Sequence, residues 1–182
     1  MNQSSVRIIR LAPAAIAALA EGDLATANAH SPVQLTPWHV SESSRSTWRY
    51  RATQAVESPE DLPWITGILW DDEEQLAVGQ SGFHGAPDAA GMVEVGYGVD
   101  PAYRRRGYAR AALEIAIERA RAEPSVHTLR ATISPENEAS LGLIAQYPFV
   151  RNGEQWDEDD GLELIFELDV DGAAGRQRRA VT

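Results

Sequence analysis

The stretch VEVGYGVDPAYRRRGYARAALEIAIERARA, residues 93–122, changes from a strand pattern to a helix pattern within a few positions. Its first part alternates large apolar residues with Glu94, Gly96 and Gly98, a period of two that predicts a strand with one nearly bare face. Such a face lets a ligand or another backbone come close. From residue 109 to 122 apolar side chains recur at helical spacing. A loop carrying three arginines therefore ends at the start of a helix.

This arginine loop, residues 104–109, has the features of an anion site. The first N–H groups of a helix lack intrahelical partners and lie at the positive end of the helix dipole, so they attract phosphate. Gly107 can adopt a positive φ and let a diphosphate approach the backbone, and Ala109 is small enough to allow the same contact. The glycine patterns of dinucleotide fingerprints and mononucleotide P-loops are absent. A tight strand-to-helix connection without a ligand is the alternative.

The pattern Arg-x-x-Gly-x-Ala of this loop, preceded by a strand and a Val-x-Pro turn, resembles the pyrophosphate loop of the GNAT superfamily of N-acetyltransferases. A second pattern, Asn137-x-Ala-Ser140 followed after a helix by Phe149, resembles another GNAT signature. The element order is similar over about residues 6–168. Within the superfamily, Glu-Val-Gly-Tyr at residues 94–97 looks like the RimJ/RimL-type ribosomal-protein N-acetyltransferases.

The resemblance implies that acetyl-CoA is the cosubstrate and binds in the gap after the central strand. It implies that the backbone of Tyr97 and Val99 holds pantetheine and polarises the thioester carbonyl. Asn137 and Ser140 would face the pantetheine arm and the adenosine diphosphate, and simple capping of a helix start is the alternative for both. The implied ligands of the diphosphate are Arg104, Arg105, Arg106, Gly107, Tyr108 and Ala109.

Glu94 is the candidate general base, because it is a carboxylate beside the bare stripe of the central strand. A merely solvated or ion-paired Glu94 is the alternative. The chain departs from the family at Ile144, where many members carry a tyrosine that protonates the departing thiolate. Tyr147 lies nearby in sequence, but Pro148 disfavours a helical backbone there, so we interpret Tyr147 as a core residue.

Composition narrows the possible functions. The 182 residues are 43% apolar and contain no cysteine, which excludes disulfides, a thiolate nucleophile and a cysteine metal site. No pair of the four histidines has helical metal-ligand spacing, so no metal is expected. The net charge of −11 disfavours general nucleic-acid binding and favours a cationic partner. We expect a cytoplasmic protein, since no leader or membrane-length apolar run is apparent.

The whole pattern predicts an α+β fold with a mixed, mostly antiparallel sheet of six to seven strands and helices on both faces. Residues 1–170 are expected to form one domain, and residues 171–182 a tail. A strand, helix and strand over residues 92–133 predict a parallel crossover. Ser134 is the predicted cap of the next helix, with Pro135 at its first position. Predicted strands are 6–11, 64–70, 75–83, 92–99, 126–133, 149–154 and 162–170, and predicted helices include 12–29, as one or two, and 109–122.

The predicted function is direct transfer of acetyl from acetyl-CoA to an amine on a small molecule or a protein N-terminus, within a ternary complex. The alternative is a non-catalytic acyl-CoA sensor or scaffold of the same fold, which the missing tyrosine favours. A nucleic-acid binder built on Arg104, Arg105 and Arg106 is a third hypothesis, and the acidic net charge disfavours it.

Overall fold

A computed structural model describes residues 5–158 and 161–171 of the chain. Seven strands and five α-helices follow one another in this part, and short 3-10 turns lie at Pro37–Val40, Pro59–Asp61 and Pro101–Tyr103. The strands are β1 Val6–Ile9, β2 Gly67–Asp71, β3 Leu76–Phe83, β4 Met92–Val99, β5 Thr128–Ile133, β6 Val150–Asp157 and β7 Gly161–Asp169. The helices are α1 Pro13–Glu21, α2 Leu24–His30, α3 Glu42–Glu57, α4 Tyr108–Ala122 and α5 Glu138–Ile144.

The strands form one sheet in the order β1-β2-β3-β4-β5-β7-β6. β4 and β5 are parallel, whereas the pairs β1–β2, β2–β3, β5–β7 and β6–β7 are antiparallel. The parallel pair requires a crossover, which α4 supplies between β4 and β5. The predicted mixed, mostly antiparallel α+β sheet is confirmed.

The chain divides into two compact units. The first takes the residues up to 86 together with 96–115, and the second takes 87–95 together with the residues from 116 onward. β4 and α4 each pass from one unit into the other along the chain. The expectation of a single domain over residues 1–170 stays a prediction. Of the predicted tail, residues 172–182 lie outside the part of the chain that the structure describes.

In the first unit, the two faces of β2 pack against different helices. Ile68 lies in a core with Leu19 of α1 and Trp48 of α3, whereas its neighbour Leu69 packs with Tyr108 of α4. Successive side chains of a strand point to opposite faces, which explains the division. Helices therefore cover both faces of this part of the sheet, as predicted.

The first helical region is two helices, because the chain reverses at Gly22. That residue has a φ of 81° and ends α1, and its position is the left-handed one that glycine tolerates best. Asp23 follows immediately as the cap of α2, where its side chain accepts a hydrogen bond from the backbone N–H of Thr26 at 2.9 Å.

In the second unit, β5 is flanked by β7, and β6 lies at the edge of the sheet. Arg130 of β5 donates from Nε to Glu167 of β7 at 3.0 Å, and Asn152 of β6 donates to the other oxygen of that carboxylate. The edge strand is mostly exposed, and the indole of Trp156 is 77% accessible. Trp156 and Asp157 belong to β6, which extends three residues beyond its predicted end at residue 154.

The start of α5 differs from the prediction. Asn137 is the cap, because its Oδ1 accepts from the backbone N–H of Ser140 at 3.1 Å. Ser134 instead closes a turn, in which its carbonyl accepts from the N–H of Asn137 at 2.9 Å. Pro135 belongs to that turn and not to the helix. Two capping residues stand three positions apart, and the later one begins the helix.

Candidate functional site

The bare face of β4 is approached by side chains from other segments of the first unit. A Cβ atom on residue 96 would stand 3.0 Å from Nε2 of His84. A Cβ atom on residue 98 would stand 3.6 Å from Cη2 of Trp38 and 3.8 Å from Cγ of Gln80. The two glycines therefore make room for an imidazole and an indole close to the strand backbone.

On the opposite face, the side chains of Tyr97 and Val99 pack into the core shared with α4. Only their backbone groups are thus available for the predicted contacts to pantetheine. The Val99 carbonyl accepts a hydrogen bond from Nε of Arg104 at 3.2 Å. Asp100 then ends the strand, because its Oδ1 accepts from the N–H of Ala102 at 2.9 Å and begins a 3-10 turn.

The arginine loop has an unusual backbone. Arg105 has a φ of 64° and Gly107 a φ of 89°, both in the left-handed region, with Arg106 between them outside it. Residues of alternating handedness direct successive N–H groups to one side and form concave anion sites. A Cβ atom on residue 107 would meet no atom of residues 5–158 and 161–171 within 4 Å, so the space over this backbone is open. All three arginine side chains are exposed, and the Arg106 guanidinium lies 5.7 Å from the centre of the Tyr103 ring.

Helix α4 begins directly after this loop. The N–H of Ala111 donates to the Gly107 carbonyl at 3.0 Å, which is the first turn of helical bonding. No acidic residue lies in that turn. The N–H groups that precede the first helical bonds have no intrahelical acceptor, and no carboxylate of the turn competes for them.

Tyr108 does not present its side chain to the loop. The ring is 8% exposed, and its hydroxyl donates to Oδ2 of Asp71 at 2.8 Å. Any ligand contact of Tyr108 is therefore limited to its backbone. Asp71 is only 5% exposed, and its other oxygen accepts from the N–H groups of Glu73 and Glu74 at 2.9 and 3.1 Å.

The hydrogen bond between Asp71 and Tyr108 shifts both pKa values. Burial opposes ionisation of Asp71, but hydrogen bonds from Tyr108 and from the backbone of Glu74 and Glu73 together hold its pKa below the ordinary value. Burial, and then the hydrogen bond to Asp71, raise the pKa of Tyr108 to about 12. The end of β2 and the start of α4 are therefore joined by a charged hydrogen bond inside the core.

The second unit contains the remaining predicted residues. Glu94 is half-buried, and its Oε1 accepts from the hydroxyl of Thr132 on β5 at 2.6 Å. The side chain of Asn137 is exposed and caps α5, and Ser140 supplies the N–H for that cap. Ile144 is 2% exposed and apolar, and Tyr147 is half-buried in the turn after α5.

A second histidine of the first unit is held inside the fold. His39 is fully buried between Thr36 and the Gly79 carbonyl, which lies 3.2 Å from its Nε2, and burial lowers the pKa of its imidazole. In the described part of the chain, no three histidine, aspartate or glutamate side chains are grouped to hold a metal ion. No helix within residues 5–158 and 161–171 is long and apolar enough to cross a membrane.

Comparison with protein families identifies the domain. A model of the acetyltransferase (GNAT) domain matches residues 7–150. The chain belongs to the GNAT family. An uncharacterized N-acetyltransferase of Bacillus subtilis, YjdG, is 32% identical over 89 residues. That match covers 49% of this chain and 51% of YjdG, so the chain spans about half the length of this curated relative.

Solved structures show the same GNAT fold. The ribosomal-protein-S5-alanine acetyltransferase from Vibrio fischeri superimposes with a TM-score of 0.61 at 20% identity, over 92% of this chain and 93% of that one. A dodecameric spermidine N-acetyltransferase from Vibrio cholerae superimposes with a TM-score of 0.65 at 12% identity, over 96% and 99%. At these identities the likeness concerns the fold alone. The predicted family and the predicted fold are both confirmed.

GNAT acetyltransferases use acetyl-CoA, and the arginine loop of this GNAT domain fits its diphosphate. The fit rests on the open space above Gly107, the left-handed backbone at residues 105 and 107, and a first helical turn without acids. A side chain at residue 107 would project into that space. His84 could not be identified from the sequence, because its position over Gly96 depends on contacts between segments that are separated along the chain.

Proposed function

We propose that the chain is an acetyl-CoA-dependent N-acetyltransferase that transfers acetyl directly to an amine in a ternary complex. The observation that carries the proposal is the open, left-handed Gly107 at the start of α4, in a chain whose GNAT match spans residues 7–150. Backbone N–H groups around this glycine provide donors for a diphosphate without any side-chain competitor in the turn.

The diphosphate would bind to the backbone of Gly107, Tyr108 and Ala109, with positive charge supplied by the three arginines of the loop. The guanidinium of Arg104 is partly engaged with the Val99 carbonyl, whereas Arg105 and Arg106 lie on the exposed side of the loop. The backbone of Tyr97 and Val99 would hold pantetheine. Asn137 and Ser140 remain proposed contacts of the same cosubstrate.

When bound, acetyl-CoA supplies the acetyl thioester for the reaction. The chain holds the acceptor amine near that thioester, which replaces a bimolecular encounter by a local attack. Glu94 takes a proton from the acceptor ammonium directly or through water, and the hydroxyl of Thr132 orients its carboxylate. Ile144 is apolar and cannot protonate the thiolate. An ordinary thiol has a pKa of about 8.5, so the thiolate can leave near neutral pH without an acid.

Release of free CoA thiol tests the proposal. The assay combines acetyl-CoA with one member of each amine class: a peptide beginning with alanine, spermidine, kanamycin and free methionine. Steady release with one of them supports the enzyme and identifies the acceptor class. In the variant Glu94→Gln, turnover should fall by about 100-fold or more while the Kd of CoA stays nearly unchanged. If turnover in that variant is unaltered, Glu94 is not the general base and has only a structural role.

The buried Ile144 favours a second candidate function, an acyl-CoA sensor or scaffold without turnover. This module would bind CoA through the same arginine loop. Tight CoA binding together with no thiol release from any of the four amines is the result that supports it over the enzyme.

A further inference from the structure

His84 stands directly after β3, and its imidazole lies over the bare face of β4. Its Nε2 is 3.0 Å from the point that a Cβ on residue 96 would occupy. The imidazole is also exposed to solvent. It therefore has one side against the strand and another from which a proton can pass to water.

The backbone of His84 is held by a buried arginine. Its carbonyl accepts hydrogen bonds from Nη1 of Arg51 at 3.0 Å and from Nε2 of Gln54 at 2.8 Å. Arg51 is 4% exposed, and its Nε donates to the hydroxyl of Thr66 at 3.0 Å. Burying a guanidinium costs free energy unless its N–H groups have acceptors. Besides the His84 carbonyl, Arg51 donates to the side-chain oxygens of Thr66 and Gln54.

The same network holds the chain two residues later. Asp61 accepts from Nε2 of Gln54 at 2.7 Å and from the backbone N–H of Ala86 at 2.8 Å. The segment from His84 to Ala86 is thus bonded at both of its ends. Connecting segments are usually the mobile parts of a fold. Here the segment that carries the imidazole is fixed by side chains of α3 and of the 3-10 turn at Pro59–Asp61.

We infer that His84 is a catalytic residue of the proposed acetyl transfer, acting as a proton acceptor for the attacking nitrogen; the inference rests on the proposed function. An acceptor ammonium loses two protons on its way to the amide. The first leaves before the nitrogen attacks, and His84 takes the second.

The protons and bonds balance as follows. Deprotonation leaves a neutral amine, whose lone pair forms the C–N bond while the thioester carbonyl becomes an oxyanion. The nitrogen of this adduct carries one extra proton, which passes to the neutral imidazole of His84. The oxyanion then re-forms the carbonyl and the C–S bond breaks. The thiolate takes a proton from water, and the imidazolium of His84 releases its proton to solvent.

The test compares wild-type enzyme with His84→Gln, using whichever of the four amines above is turned over fastest. Transfer to a positioned base is worth about 100-fold or more, so kcat should fall by at least that factor. The Kd of CoA and the Tm should stay close to wild type. The control is His30→Gln, which removes an exposed histidine at the end of α2 and should leave kcat unchanged.

A second variant separates chemistry from structure. In His84→Ala, added imidazole should restore the rate of amide formation at least tenfold, because it replaces the missing base. Amide is measured rather than thiol, because imidazole can itself accept acetyl. If wild type turns over an amine and His84→Gln has the same kcat, His84 is not the proton acceptor. The same conclusion follows if His84→Ala is slow and imidazole does not restore its rate. Either result leaves the acetyltransferase proposal standing. A wild-type chain that turns over no amine overturns both.

Discussion

Gly107 combines a left-handed backbone with open space, and these two properties predict different effects of a side chain. In Gly107→Val the positive φ should cost about 1–3 kcal/mol of stability, and the new methyl groups should block the diphosphate. We expect the Kd of CoA to rise by at least tenfold, measured by calorimetry. The thermal shift caused by CoA should disappear.

The matched control is Gly153→Val, because Gly153 of β6 also has a positive φ, of 138°, and no atom of the described part of the chain lies within 4 Å of its Cβ position. It should show a similar loss of stability with a wild-type Kd for CoA. Equal CoA affinity in the two variants would refute the diphosphate assignment of the arginine loop. Pantetheine should also bind more weakly than CoA, since it lacks the diphosphate.

The hydrogen bond between Tyr108 and Asp71 predicts how the free energy of unfolding depends on pH in the alkaline range. Since the folded-state pKa of Tyr108 is raised to about 12, its contribution is complete below the unfolded value near 10 and is lost as pH rises through 12. The chain contains no lysine, so few other groups titrate there. The Tm of wild type should fall between pH 10 and 12, and that fall should be smaller in Tyr108→Phe.

Tyr108→Phe should also cost about 1–3 kcal/mol at pH 7, because the buried carboxylate of Asp71 loses a donor. Chemical unfolding measures this loss, and Tyr50→Phe, at an exposed tyrosine of α3, is the control. The folded-state pKa of Asp71 is lowered, so its contribution is present above its unfolded pKa and is lost on acidification through the folded value. An identical alkaline profile in wild type and Tyr108→Phe would contradict the assignment.

Helix α5 offers a way to separate capping from ligand binding at Asn137. Asn137→Asp keeps an oxygen that can accept from the N–H of Ser140, so the free energy of unfolding should stay within about 0.5 kcal/mol of wild type. The added negative charge should nevertheless weaken CoA binding severalfold if Asn137 faces the cosubstrate. Asn137→Ala should cost about 1 kcal/mol in either case. An unchanged Kd in Asn137→Asp would reduce this residue to a cap.

Elements with an uninterrupted period were predictable from sequence. β4 was predicted with its observed bounds and α4 within one residue, because alternation and helical spacing are continuous there. The start of α5 was wrong because two capping residues compete within four positions. The burial of Asp71 could not be read locally, since its partner Tyr108 lies 37 positions away. The position of His84 could not be predicted for the same reason, because Arg51, which donates to the His84 carbonyl, lies 33 positions upstream.

The negative net charge of the chain predicts that cationic acceptors associate faster than neutral ones. A net charge of −11 attracts cations over a distance that salt shortens, from about 30 Å at 0.01 M to about 8 Å at 0.15 M. If spermidine is turned over, its kcat/KM should fall severalfold between 20 and 300 mM KCl. The zwitterion methionine serves as the neutral comparison and should show a weaker dependence. Parallel salt curves for the two acceptors would show that overall charge does not steer the acceptor.

The division of the chain into two units also limits how such a gene can change. Each unit is assembled from two separate segments. Two of the three boundaries fall inside β4 and α4, and the third, between residues 86 and 87, lies in the loop before β4. One recombination event exchanges a single continuous stretch of a gene. Replacing either unit intact would therefore need a crossover at each of the three boundaries. A single crossover between distant relatives at residues 95/96 or 115/116 would join part of β4 or of α4 from one parent to the rest of that element from another.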